Sequence, residues 1–257
     1  MAPQLMAFDL DGTLIFDLRI AQESIDAIRA WQEAGNLAVC ATGKSIASTR
    51  HALEGTGLRF DYYVTYTGAV VTDADFRVLR AQTLPGEVVQ EVVRRMSGES
   101  GVAVYGTTLD TDDVRFSNRT GRASTEILPH FVEMDAAQIP EHEFVGVPLW
   151  VTDPEKIDPL HEELSTRYAG VMDCHRNQTF LDLVPPDTHK GTGLAWLDEH
   201  HLGGRYETYS IGDSWNDLGM HAWADHSASF PYSPQAVQEA TETVVPTAAE
   251  WIRRLLA

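Results

Sequence analysis

The sequence predicts a doubly wound α/β fold, a mostly parallel sheet with helices on both faces, interrupted by an inserted α+β domain. Three observations carry this reading. Apolar runs alternate with amphipathic helical patterns over residues 5–68, the same alternation returns from residue 190, and the stretch between has a different texture of shorter strands and helices.

Each element follows in turn. LMAFDL (5–10) is a buried strand, SIDAIRAWQEAG (24–35) a helix that Gly35 can end, and NLAVCAT (36–42) a second strand. A helix from about Ser45 and the run DYYVTYTG (61–68) complete β-α-β-α-β. In the insertion, PGEVVQEVVRRM (85–96) and EKIDPLHEELSTRY (155–168) read as helices. GVAVYGTT (101–108) and PLWVTD (148–153) read as strands, and two facing runs flank a turn at His175-Arg176-Asn177-Gln178. The core resumes with the helix KGTGLAWLDEHH (190–201), the strand YETYSIG (206–212), a helix near Ser214, the strand SASF (227–230) and a closing helix AAEWIRRLLA (248–257). The division is 1–82 and 184–257 for the core and 83–183 for the insertion, which is long enough for its own packed centre.

Composition narrows the function classes. With 257 residues, 43% of them apolar, the chain can bury a substantial core. Its 38 acidic against 19 basic side chains leave a charge of −19, which disfavours nucleic acid and anionic membranes as partners. No apolar run approaches a membrane span, and MAPQLMAFDL lacks the features of a secretory signal, so a cytoplasmic location is expected. Cys40 and Cys174 form no metal-type cluster and read as packing residues. Nothing in the composition calls for an obligate protein partner.

The chemistry concentrates where strands end, the side of an open parallel sheet on which ligands bind. Asp9-Leu10-Asp11-Gly12-Thr13 leaves the first strand with two carboxylates that would repel each other without a counter-charge. Gly212-Asp213-Ser214-Trp215-Asn216-Asp217 leaves a later strand with two more. Alone, the first motif is equally compatible with a solvated acidic turn, and the second with helix capping by Asp213. Together they deliver four carboxylates to one edge, which suits Mg²⁺, an ion that takes oxygen ligands and is often completed by a substrate phosphate. Thr42-Gly43-Lys44 and Lys190 add a hydroxyl, an amide and two ammonium groups, the donors a transferring phosphoryl group needs. Lys44 and Lys190 are two of only three lysines, which gives their placement weight against the ordinary reading of a solvated surface lysine.

With these four pieces in chain order, and the insertion between the second and third, the sequence resembles the haloacid dehalogenase-like superfamily, in particular its Cof-type phosphatases with a type IIB cap. The similarity extends through LVPPDTHKGTGLAWL and the tail from Asp225 to Val245. The resemblance implies a Rossmann-like core and a cap at 83–183. It implies that Asp9 attacks phosphorus and becomes an aspartyl phosphate, while Asp11 protonates the leaving oxygen and then activates water. Thr42 and Gly43 would hold phosphoryl oxygens, with Lys44 and Asn216 also at the substrate. Lys190 would pair with Asp9, and Mg²⁺ would lie on Asp9, Asp213 and the Asp11 carbonyl, supported by Asp217. The Cof pattern usually has arginine at Lys44 and asparagine at Thr67, departures that bear on substrate identity. The implied substrate is a small phosphorylated metabolite, first a sugar phosphate. A phosphosugar mutase is the nearest enzymatic alternative, and a ligand-binding regulatory protein on a retired core the more distant one. In the cap, Arg115, Arg119 and Arg122 form a basic cluster that could meet a second anion, or be solvated or paired with Asp110, Asp112 and Asp113.

Overall fold

A computed structural model describes residues 3–123, 130–177 and 179–257. The first segment forms β1 (Gln4–Phe8), a short hairpin of β2 (Ile15–Phe16) and β3 (Arg19–Ile20), α1 (Gln22–Glu33), β4 (Leu37–Ala41), α2 (Ile46–Leu53), β5 (Tyr62–Thr65), β6 (Val70–Asp73) and β7 (Val78–Ala81). The middle forms α3 (Gly86–Met96), β8 (Val102–Thr108), β9 (Val114–Asn118), β10 (Val132–Glu133), β11 (Phe144–Val151), α4 (Pro154–Arg167), β12 (Asp173–Asn177) and β13 (Phe180–Val184). The last forms α5 (Lys190–Trp196), β14 (Glu207–Ile211), α6 (Leu218–Trp223), β15 (His226–Ser229), α7 (Gln235–Glu239), β16 (Thr243–Val244) and α8 (Ala248–Leu256).

Two compact units result. The first holds the chain up to Gly43, Thr49–Arg80 and His189–Ala257; the second holds Lys44–Ser48 and Ala81–Thr188. The second unit therefore starts two residues before, and ends five residues after, the insertion expected at 83–183, and it also takes a short piece of the chain that follows β4.

The first unit is built on the sheet β16-β15-β14-β1-β4-β5-β6-β7, parallel from β16 through β5 and turning antiparallel at β6. From β1 the chain proceeds outward to β4 on one side and, much later, to β14 on the other. The carboxyl ends of β1 and β14 are thus a topological switch point, where the diverging connections leave a crevice. Both faces are apolar because successive strand residues point opposite ways. Met6 and Phe8 of β1 join Ile28, Trp31, Tyr209, Trp251 and Ile252 under α1 and α8, while Leu5 and Ala7 join Val39, Val64, Leu194 and Met220 under α5 and α6. The Trp31 indole N–H donates to the Leu37 carbonyl at 2.8 Å, which satisfies its one polar atom inside the core.

The second unit is a sheet in the order β10-β9-β8-β11-β13-β12, antiparallel except for the β10–β9 pair. One face buries Val89, Val92, Val93 and Met96 of α3 and Ile157, Leu160 and Leu164 of α4 against Val102, Val104, Val147, Leu149, Leu181 and Leu183. On the other lies a smaller cluster of Ala103, Tyr105, Trp150 and Phe180, with the last two rings stacked at 6.4 Å.

Several expectations need correction. His175 and Arg176 do not form a turn: they lie within β12, paired with Asp182 and Leu181 of β13, and the His175 Nε2 sits 2.8 Å from the Thr188 carbonyl. Gln178 lies outside the described residues. The helix expected over 190–201 is α5 only as far as Trp196, followed by a π-turn at Leu197–Leu202 that ends at Gly203 in the left-handed region (φ +83°). No α-helix begins at Ser214. A 3₁₀ turn, Trp215–Asp217, precedes α6, and its cap residue is Ser214 instead of Asp213.

Candidate active site

The turn that carries Asp9 and Asp11 grows directly out of β1. The Asp9 N–H donates to the Ile211 carbonyl at 3.0 Å, which prolongs the β1–β14 ladder by one residue and fixes where the carboxylate leaves the sheet. The chain then folds back on the Leu10 carbonyl, which accepts from the N–H groups of Thr13, Leu14 and Ile15, while the Gly12 N–H donates to the Ile15 carbonyl. Gly12 has φ +82°, and a β-carbon there would stand 2.7 Å from both Asp213 carboxylate oxygens. Only glycine permits that backbone shape and that close approach of the two motifs. Thr13 reaches across as well, its hydroxyl 3.4 Å from Asp213 Oδ1. Asp9 is buried and Asp11 exposed.

Lys190 arrives from the first residue of α5. His189 caps that helix: its Nδ1 accepts from the Thr192 N–H, and its own N–H donates to the Thr192 hydroxyl at 3.0 Å. A β-carbon on Gly191 would lie 2.0 Å from the Gly219 carbonyl, so α5 and α6 meet backbone to backbone and the lysine is drawn wholly inside. Its Nζ donates to Asp9 Oδ1 at 2.5 Å and to Asp217 Oδ1 at 2.6 Å. The second Asp217 oxygen accepts from the N–H groups of Asp213 (2.9 Å) and Ser214 (3.0 Å). With both oxygens committed, Asp217 braces the lysine and the loop and leaves Asp9 and Asp213 as the open carboxylates.

The electrostatics are those of a site short of positive charge. Burial pushes the Asp9 carboxyl well above its ordinary pKa; Lys190 opposes this, and Asp217, Asp213 and Asp11 add to it. Asp213 is pushed up to about 6, first by burial and then by the Asp217 charge. Burial alone would lower the Lys190 pKa, but the charges of Asp217 and Asp9 outweigh it and raise it. Three carboxylates facing one ammonium leave an excess of two negative charges. Ligand oxygens of the open carboxylates Asp9 and Asp213 lie within 4.8 Å of one another and of Asp217, so an oxygen donor set and an excess of negative charge both fit Mg²⁺.

The remaining predicted residues fall in three places. Thr42 is buried at the end of β4, its N–H donating to the Val64 carbonyl and its carbonyl accepting from the Thr67 N–H. Thr67 and Tyr66 both have positive φ, +56° and +50°, and the Thr67 hydroxyl stands 3.4 Å from where a Gly43 β-carbon would be. Asn216 is half-buried in the 3₁₀ turn between the two aspartates of its motif. Lys44 groups with the second unit, beside Ser45 and Ser48, whose hydroxyls donate to Asp113 Oδ2 at 2.7 and 2.6 Å. Asp113 is buried, and burial raises its carboxyl pKa.

Of the three cap arginines, Arg119 and Arg122 are exposed, in line with the solvated reading, whereas Arg115 does not pair with the nearby aspartates. The Arg115 guanidinium binds Glu133 and lies 4.1 Å over the Phe131 ring, Asp110 meets His142, and Asp113 takes the two serines. Sequence reasoning also missed Tyr232, whose hydroxyl donates to the Gly12 carbonyl at 2.7 Å. Burial, with the charges of Asp213 and Asp9, raises the pKa of this phenol and keeps it a donor. No local motif announces Tyr232, because it follows β15, whose neighbour β14 separates it from β1.

A doubly wound α/β unit with an inserted second unit, and a buried lysine–aspartate pair where its strands diverge, is the setting of a hydrolase. The family model for haloacid dehalogenase-like hydrolases matches residues 6–250, and the chain belongs to that family. An HMP-PP phosphatase of Yersinia pseudotuberculosis is 27% identical over 226 residues, spanning 84% of this chain and 80% of that one. A haloacid dehalogenase-like hydrolase from B. subtilis superposes with a TM-score of 0.84 at 18% identity, covering 98% of this chain and 99% of the other. A sugar phosphatase of subclass IIB superposes at 0.79 with 19% identity, covering 98% of each. No helix among the described residues is long and apolar enough to cross a membrane.

Proposed function

We propose that the chain is a Mg²⁺-dependent phosphatase of a small phosphorylated metabolite, a sugar phosphate foremost, acting through an aspartyl phosphate on Asp9. The observation that carries this reading is the pairing of Asp9 with a fully buried Lys190, itself locked by Asp217. A buried lysine held at a buried carboxylate has a reason to be there if that carboxylate meets an anion. The sugar phosphatase of subclass IIB and the HMP-PP phosphatase support the substrate class as small phosphorylated molecules.

Asp9 and Asp213, whose ligand oxygens lie close together, would hold Mg²⁺, with the Asp11 carbonyl as the ligand the family resemblance adds. The bound ion would supply a double positive charge that favours the ionised carboxylates and reduces repulsion of the incoming phosphate. An Asp9 oxygen attacks phosphorus and the bond to the leaving oxygen breaks as Asp11 gives that oxygen its proton. Asp11, now a carboxylate, takes a proton from water. That water attacks phosphorus, the bond to Asp9 breaks, and inorganic phosphate leaves with Asp9 restored. Lys190 holds Asp9 in place, and Thr42 and Gly43 offer donors to the phosphoryl oxygens. A mutase would need a second phosphate site in the cap. Arg115, its first candidate, is already taken by Glu133 and Phe131.

Phosphate release from a panel of sugar phosphates, nucleotides, pyridoxal phosphate and flavin mononucleotide, with Mg²⁺ and with chelator, tests the reading. A chelator-sensitive preference for sugar phosphates is expected. Activity unaffected by excess chelator removes the metal, and silence across the panel removes the phosphatase assignment to small esters.

A further inference from the structure

We propose that the exposed rings of Phe16 and Tyr232 select the leaving group: they form an aromatic step beside the turn that carries Asp9, against which a cyclic leaving group lays the flat face of its ring. The inference rests on the phosphatase reading above and adds to it the part of the substrate that is not phosphate.

Charges at the switch point attract any phosphoester and do not tell one leaving group from another. Discrimination needs contact with the rest of the molecule, which ligand sites usually supply through apolar and aromatic side chains. Among the described residues three aromatic side chains are exposed, Phe16 (50%), Trp215 (58%) and Tyr232 (52%), and every other Phe, Tyr and Trp is buried or half-buried. Each of the three stands on chain that leaves the carboxyl end of a parallel strand: Phe16 follows β1, Trp215 follows β14 and Tyr232 follows β15. Incidental exposure would scatter such rings over the surface. Here all of them fall on the side of the sheet where ligands bind.

Two of these rings are joined and fixed. Tyr232 stacks one face on Phe230, with centroids 5.0 Å apart and planes 7° apart, and its hydroxyl donates to the Gly12 carbonyl at 2.7 Å. Phe16 stands at 87° to it with centroids 6.0 Å apart, so the pair makes a corner of floor and wall. A ring clamped in this way gives up little freedom when a ligand arrives. The corner is close to the reacting groups, since the charges of Asp213 and Asp9 both act on the Tyr232 phenol. The hairpin that carries Phe16 adds to the apolar surface: its tip takes positive φ at Asp17 (+49°) and Leu18 (+59°) and leaves Leu18 75% exposed. A flat ring, whether a pyranose or a heteroaromatic ring, fills such a corner with its shape already set, whereas an open chain must first be ordered.

The test compares glucose 6-phosphate with sorbitol 6-phosphate, esters of one six-carbon skeleton that is closed into a ring in the first and open in the second. Wild type should favour the ring in kcat/KM by about fivefold or more, and F16S and Y232L should each lower that ratio by about threefold or more, the range of one aromatic contact. Y232F, which keeps the ring and loses the bond to Gly12, should retain the wild-type ratio. If pyridoxal phosphate is hydrolysed and neither hexose ester is, the selected ring is heteroaromatic, and the ratio of pyridoxal phosphate to the ringless acetyl phosphate should fall in the same variants. A wild-type ratio near one, a ratio unchanged in F16S and Y232L, or a Y232F ratio as low as that of Y232L would overturn the proposal and leave the phosphatase reading standing. Wild type inert on all four esters would overturn that reading instead. Should Y232L fail to fold, F16S decides alone, because its ring is exposed on the hairpin and its loss leaves the Tyr232 bond to Gly12 in place.

Discussion

Lys190 and Asp217 form a fully buried ion pair, with Nζ 2.6 Å from Oδ1, and the other oxygen of Asp217 holds two backbone N–H groups of the loop that presents Asp213. One side chain therefore ties the lysine to the carboxylate-bearing loop. Because Lys190 also holds Asp9, the ends of β1, β14 and α5 are set relative to one another by a single charged network. Such a network is costly to leave half-made, since an unpaired buried charge has no water to solvate it.

Replacing Lys190 with methionine should therefore remove activity and destabilise the metal-free protein by about 3–5 kcal/mol, the usual cost of stranding a buried partner. Thermal unfolding in chelator measures this. Added Mg²⁺ should restore more stability to K190M than it adds to wild type, because the ion relieves the same excess of negative charge. Equal Mg²⁺ effects would show that the lysine and the ion do not answer one electrostatic need.

The raised carboxyls give a pH dependence with a definite sign. Asp213, near 6 in the folded metal-free chain, binds more protons than in the unfolded chain between about pH 4 and 6. Its contribution to metal-free stability is fully present below the unfolded value and is lost as pH rises through about 6; Asp9 shifts in the same direction. Mg²⁺ requires the ionised forms, so its affinity should rise from pH 5 to pH 7 and then level off. Calorimetry in buffers of different ionisation enthalpy should find proton release on binding below about pH 6. An affinity flat across that range would contradict the assignment.

Thr67 has φ +56°, a conformation that β-branched residues adopt only under strain. Thr67→Asn should raise stability by about 1 kcal/mol, because asparagine tolerates this region. Because the Thr67 hydroxyl lies beside Gly43, the same variant should alter KM more than kcat. An unchanged melting temperature would show that the surrounding turn already absorbs the strain.

Asp113 anchors the stretch that carries Lys44. D113A leaves the Ser45 and Ser48 hydroxyls without their shared buried acceptor and should destabilise the second unit by about 2 kcal/mol. D113N, which keeps an acceptor oxygen and removes a buried charge, should cost much less. Limited proteolysis within residues 81–188 reads the difference; equal cleavage of the two variants would contradict the anchoring role.

What the sequence made legible was governed by locality. Asp9, Asp11, Asp213 and Asp217 stand beside apolar strand patterns, so their common edge followed from the alternation, while the pairing of Lys190 with Asp9 followed from the family resemblance. Tyr232 could not, since its partner Gly12 is 220 residues away and its own surroundings, FPYSP, read as a loop. The β2–β3 hairpin was hidden because its tip, Asp17 and Leu18, takes positive φ without the glycine or asparagine that usually announces such a turn. β9 was hidden by its charge: VRFSN alternates Val114 and Phe116 with Arg115, a polar pattern too short to read as a buried strand. Lys44 looked like a continuation of Thr42-Gly43, yet Ser45 and Ser48, through Asp113, draw it to the other unit.

The central claim is that Asp9 carries the phosphoryl group. D11N, which should form the aspartyl phosphate faster than it can release it, can be mixed with ³²P-labelled acetyl phosphate and Mg²⁺, quenched in acid and mapped by peptide. A hydroxylamine-labile label on the peptide containing Asp9, absent in a D9N/D11N double variant, is the predicted result. A label on another residue, or turnover with no labelled protein at any quench time, would contradict the account.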